Sequence, residues 1–218
     1  MGCSELDRSK QPIKLTGNAL NSLVSAAAAG NKIANDSLSG LIDLSMPDNY
    51  HYNQPNVDSF YLDSVKYFSV IINHPNSVYN RFAVYDEGSN CYLIDKSLNG
   101  KFLFELIEID SIKFLKIVEN FIALDSIRAV RLSLYRKIND SFNLVLRNYA
   151  EVKTIKNVYN QVVTSIALDT IKTRLFFSEN NKVISREVFF VYRHNLKAFR
   201  SESSLFDSLV FKEVTELR

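Results

Sequence analysis

Glycine and proline run out early in this chain: none of the six glycines lies beyond Gly100, and none of the four prolines beyond Pro75. Loops that cradle phosphate, and the sharp elbow that presents a hydrolase nucleophile, need glycine where backbone approaches a ligand or turns tightly. The last 118 residues offer no place to build either, which argues against a nucleotide-binding fold. Cysteine is scarce too. Cys3 and Cys91 are the only two, far apart in sequence, and this argues against a disulfide framework and against a cysteine-based metal site. No stretch approaches the run of about 20 apolar residues that a membrane-spanning helix requires; the run Ala26 to Ala29 stops at Gly30, Asn31 and Lys32. Charge of one sign is missing as well. Lys and Arg total 26 against 24 Asp and Glu, a net of +2, below the density of a dedicated nucleic-acid binder.

What is present is alternation. From Asn80 to Asn157, short apolar–polar runs are separated by Glu87-Gly88-Ser89-Asn90, Leu98-Asn99-Gly100-Lys101 and Ile138-Asn139-Asp140-Ser141. Such turns between alternating runs predict successive antiparallel hairpins. Asn99-Gly100 is the strongest signal, since a two-residue type I′ turn needs positive φ at both central positions. Strands are expected over 60–72, 81–85, 91–94, 101–109, 112–119, 129–136, 144–152, 161–167, 171–177 and 183–192. Segment 112–124 also fits a helical period through Phe114, Ile117, Val118 and Phe121, but its β-branched content favours strand. Leu144, Leu146 and Val152 are expected on one face of their strand and Arg147, Glu151 and Lys153 on the other. Leu205, Phe206, Leu209, Val210 and Val214 stand at helical spacing near the C-terminus.

A phrase recurs at Leu62-Asp63-Ser64-Val65, Ile109-Asp110-Ser111-Ile112, Leu124-Asp125-Ser126-Ile127 and Leu168-Asp169-Thr170-Ile171, at intervals of 47, 15 and 44 residues. A propeller would repeat every 40–45 residues or so. The interval of 15 favours plain turn chemistry, in which Asp and Ser/Thr side chains bond the local backbone. The expected fold is therefore mainly β: an antiparallel sheet of successive hairpins, as a sandwich or a strongly bent sheet, with an N-terminal tail and a C-terminal helix. The layout is a tether with a short helical patch over 1–58 and a β domain over 59–218. The patch runs from Asn18 to Lys32 and is mostly alanine, so it would bury little, and 36–55 reads as loop.

Met1-Gly2-Cys3-Ser4 resembles the end of a bacterial lipoprotein signal, with Gly2 at the small residue before the cleavage point and Cys3 at the acylated position. No basic segment or apolar run precedes them, so the resemblance implies either an upstream start or a mature form given a new methionine. N-myristoylation of Gly2 fits less well, because the sixth position is Leu6 where Ser or Thr is required. The resemblance implies a membrane-anchored protein of the cell envelope. About 50 flexible residues would give a reach of roughly 40 Å, enough to hold a folded domain clear of the headgroups.

Candidate chemistry is thin. Asp86 with Asp95, and Glu105 with Glu108, are the carboxylates available for acid–base work, which needs two groups of separated pKa in a cleft. His51, His74 and His194 lie apart from one another and from both cysteines, with no metal-ligand spacing. Arg193 to Arg200 is basic with a single aromatic, where single-strand binding wants a broad basic stripe with stacking rings. Tyr50, Tyr52, Tyr61, Tyr67 and Tyr79 crowd the first strands, and of these Tyr61, Tyr67 and Tyr79 are the candidate ligand-binding residues. No cofactor and no metal site is expected. The leading expectation is a lipid-anchored, non-enzymatic protein that binds a protein or glycan or serves in assembly. The alternatives are a hydrolytic enzyme with a spatially assembled site, or a lipid carrier with an apolar groove.

Overall fold

Two helices open the described part of the chain, and each presents one narrow apolar stripe. In the computed structural model, the residues described are 17–42 and 56–201, apart from 89, 110, 124–126, 155–156, 168 and 180–181. Helix α1 (Gly17–Ala28) carries Leu20, Val24 and Ala27 at i, i+4, i+7, and α2 (Lys32–Ile42) carries Ala34, Leu38 and Leu41 at the same spacing. Gly30 ends α1 at φ +85°, a conformation that costs glycine little. Its N–H donates to Ala27 O and the N–H of Asn31 to Ala26 O, both at 3.0 Å, a Schellman closure. The side chain of Asn31 then accepts from Ala34 N at 3.1 Å and caps α2.

Strands β1 (Asn56–Leu62), β2 (Val65–Ile72), β3 (Arg81–Asp86) and β4 (Cys91–Asp95) form an antiparallel meander in the order β1-β2-β3-β4. One face packs Phe68, Val70, Ile72, Ala83 and Tyr85 against Leu20, Val24, Ala27, Ala34 and Leu38 in a single buried cluster. The Tyr85 hydroxyl also donates to the carbonyl of Leu41. Residues 17–42 thus differ from the expected tether and loop. Alanine on α1 lets the helix approach the sheet closely, while three fully buried leucine and valine side chains (Leu20, Val24, Leu38) supply the apolar area. The opposite face carries Tyr67, whose ring stacks on Phe60 at 5.5 Å and meets Tyr92 edge-on at 5.2 Å and Phe142 at 5.6 Å.

The remaining strands are β5 (Lys101–Ile109), β6 (Ile112–Ala123), β7 (Ile127–Ile138), β8 (Ser141–Lys153), β9 (Val158–Ile166), β10 (Thr170–Glu179), β11 (Lys182–Arg193) and β12 (Ala198–Ser201). They follow one another in chain order across an eight-stranded antiparallel sheet. One cluster gathers Phe114, Leu134, Leu146, Tyr159, Leu175 and Phe199, drawn from strands β6 to β12. The chain divides into two compact units: residues 1–101 with 139–142, and 102–138 with 143–218. A boundary at 58/59 does not mark this division. The protein is mainly β, in two antiparallel sheets of four and eight strands.

The turns explain why glycine can be dispensed with. Asp63 and Ser64 lie between β1 and β2, and Ser111 between β5 and β6: Asp63 and Ser64 take φ of 50° and 66°, and Ser111 takes 64°. Asn139 takes 56° at the β7–β8 turn. Short polar side chains tolerate this left-handed region. Segment 112–123 is strand. Two expectations require correction. Asn99-Gly100 is no hairpin turn: it lies on the passage from β4 to β5, which belong to different sheets, and Gly100 is not among the residues at positive φ. That passage is held instead by the buried Asn80, whose amide donates to Leu98 O at 3.2 Å and Gly100 O at 2.9 Å. Leu144, expected inward, is 38% exposed; Val145 and Leu146 are both buried, and two adjacent buried residues show that the alternation slips there. The helix expected near the C-terminus lies outside the described residues.

Candidate functional site

The start of α1 and the edge of β1–β2 enclose a cleft of about 420 Å³. Its walls include Asn18, Asn21, Asp58, Lys66, Phe68 and Glu87. Lys66 extends over the Phe68 ring at 5.3 Å and approaches Glu87 at 3.8 Å. Gly17 belongs to the wall because a Cβ there would stand 3.0 Å from the Phe68 ring. Amides, one ammonium and two carboxylates suit a small polar ligand. Ser59 also lines the cleft, but among the described residues no His or Cys does, so the wall holds neither a Ser–His nor a Cys–His pair. Sequence reasoning missed this site, because its residues come from four separate segments and become neighbours only once the helices dock.

The predicted site residues are dispersed. Tyr61 and Tyr67 sit on opposite faces of their hairpin: Tyr61 is 61% exposed and Tyr67 fully buried among rings. Tyr79 ends the 3-10 turn Ser77–Tyr79, its ring 5.0 Å from that of His74. The three do not make one surface. Cys3, Tyr50, Tyr52 and His51 lie outside the described residues.

Asp86 is the centre of a local hydrogen-bond network. It accepts from Asn90 N and Nδ2, both at 2.9 Å, and from the Tyr92 hydroxyl at 3.0 Å. Partial burial pushes its pKa up, but the donors from Asn90, Tyr92 and the Gly88 backbone outweigh this and hold the carboxyl below its usual range. Burial, and then the Asp86 carboxylate, push the Tyr92 hydroxyl up to about 12. Asp95 lies at the other end of the β3–β4 hairpin and accepts from Ser97 N at 2.8 Å and Ser97 Oγ at 2.6 Å. The pair is therefore not brought together. Glu105 pairs with Lys116 at 2.7 Å on the surface, and Glu108 is exposed. His74 is buried, its Nδ1 accepting from Asn76 N at 2.9 Å. His194 is exposed beside the Tyr192 ring at 5.2 Å.

In the second unit the buried polar groups form ladders between strands. Arg131 donates twice to the fully buried Glu119, at 2.8 and 3.0 Å. Arg147 donates to Ser133 Oγ and to the Tyr135 hydroxyl, each at 2.9 Å. Asn148, Gln161 and Thr173 form a relay at 2.6 Å per step that ends on Val188 O at 3.2 Å. Satisfied cross-strand bonds of this kind fix register.

Cys91 is disulfide-bonded. Among the described residues, no group of three or more His, Cys, Asp or Glu is placed to hold a metal ion, and no helix is long and apolar enough to cross a membrane. No protein-family description, curated protein or solved structure matches the chain.

Proposed function

We propose that this chain is an exported protein of the cell envelope, lipid-anchored through Cys3, with a non-enzymatic binding or assembly role. The observation that carries the non-enzymatic part is the cleft at α1 and β1–β2. Its walls hold amides and a Lys66–Glu87 pair, a recognition surface for a small polar group such as those on a glycan or peptide. Asp86, Asp95 and Glu105, the carboxylates the sequence offered for catalysis, each have a local hydrogen-bonding or ionic partner elsewhere. A lipid carrier would need room on the eight-stranded sheet's apolar face, where Phe114, Leu175 and Phe199 already pack together.

The Cys91 disulfide favours a second form of the same reading. Disulfides persist in oxidising compartments, which agrees with export; in this second form the exported chain carries no lipid on Cys3. Expression from the natural start, cell fractionation and intact mass spectrometry without reductant separate the two. A membrane-bound product heavier by diacylglycerol and acyl chains, and lost in Cys3→Ser, is the expected result. An exported product lighter by two hydrogens overturns the anchor and leaves export standing. A cytosolic product with two free thiols overturns both.

A further inference from the structure

Beyond the anchor, we propose that the outward face of β9–β12 docks directly on an anionic phospholipid surface. Register and burial define that face. Ile171, Thr173, Leu175 and Phe177 of β10 are buried, so Lys172 and Arg174 project from the opposite side. Opposite them on β11 stand Phe189 and Glu187, and Arg174 also pairs with Val162 of β9. Val162 and Phe189 are 52% and 48% exposed. Arg200 of β12 lies opposite Val191 in the same outward row. The apolar and basic side chains are therefore interleaved.

Charge on this face is one-sided. Lys172 and Arg174 share Glu187, at 2.9 and 3.2 Å, and Lys172 also lies over the Phe189 ring at 5.5 Å. Among the described residues, the outward rows of β8–β12 carry Lys153, Lys172, Arg174 and Arg200 alongside Glu151 and Glu187. Lipid phosphates complement that excess of base, and the exposed Phe189 and Val162 give the face purchase at the acyl boundary. A nucleic acid would use the same cations, but it would want several exposed stacking rings, and of the two rings on the outward rows of β9–β12 Phe176 is half-buried and Phe189 exposed. The idea rests on the envelope reading for its biological setting, although the face can be tested without the anchor.

The test uses the full chain made from Met1 by cell-free translation without membranes, so that Cys3 carries no lipid. Co-sedimentation with phosphatidylcholine vesicles is compared with vesicles that also contain phosphatidylglycerol. The expected result is binding to the anionic vesicles alone, weakened by salt. The Lys172→Glu/Arg174→Glu pair should reduce it about tenfold or more, and Phe189→Ser should reduce it as well. If the charge reversals lower the melting temperature, Lys172→Gln/Arg174→Gln supplies the same reading at smaller cost to folding. Equal sedimentation with neutral vesicles, binding undiminished in the variants, or preference for single-stranded DNA over the anionic vesicles would overturn the proposal. The mass measurement on Cys3 is a separate readout, so a missing anchor and an inactive face are told apart.

Discussion

Asp86 gathers donors from Asn90 and Tyr92, and this gives it a pH signature. Its folded pKa is depressed, so its stabilising contribution is fully present above the ordinary aspartate range of about 4 and fades as pH falls through the lowered folded value. Asp86→Asn should therefore be less stable than the parent by a constant margin near neutrality, with the gap closing below about pH 4. Urea midpoints between pH 2 and 7 check this. Asn80 is the other single residue on which much depends. It accepts from His74 N at 2.7 Å and donates to two carbonyls on the β4–β5 passage. Asn80→Ala strands three backbone groups on two segments and should cost about 3 kcal/mol, read as a shift in urea midpoint. Neither role was visible in the sequence, where Asn80 merely preceded an apolar run.

At the scale of elements, most strands were legible and most of the helical packing was not. Period-two alternation and Asp-Ser, Asn-Asp or Gly-Ser-Asn turns located the hairpins, including the β5–β6 pair, where the helical alternative was weighed and set aside. Asn99-Gly100 misled because a turn dipeptide reports local backbone preference, not whether the flanking strands pair. Here they enter different sheets. The positive-φ positions make the distinction testable: Asn139→Gly should be neutral or slightly stabilising, whereas Asn139→Val should cost about 1–2 kcal/mol. The alanine-rich helix was found, but its worth was underestimated because propensity says nothing about docking. Leu20→Ala, at a position with no exposed surface, should destabilise the first unit by about 2–5 kcal/mol. A tether residue would show no change.

For the whole molecule, the loss of glycine after Gly100 falls at the boundary between the two units, but the full division could not be read from the chain, since the segment 139–142 joins the first unit from far along the sequence. The candidate cleft was hidden for the same reason: it needs α1 seated beside β1 and β2. That the helices of residues 17–42 are part of a folded unit is thus the claim on which both the cleft and its proposed binding role stand. Removing them uncovers Phe68, Val70, Ile72, Ala83 and Tyr85, a loss comparable with the whole stability of a small domain at about 5–15 kcal/mol. Hydrogen exchange by mass spectrometry on a chain shortened to begin at Val57 tests this most directly. The account requires the amides of β2 and β3 to lose their protection in the shortened chain, while those of β9–β11 keep theirs. Full protection of β2 and β3 without the helices would contradict it.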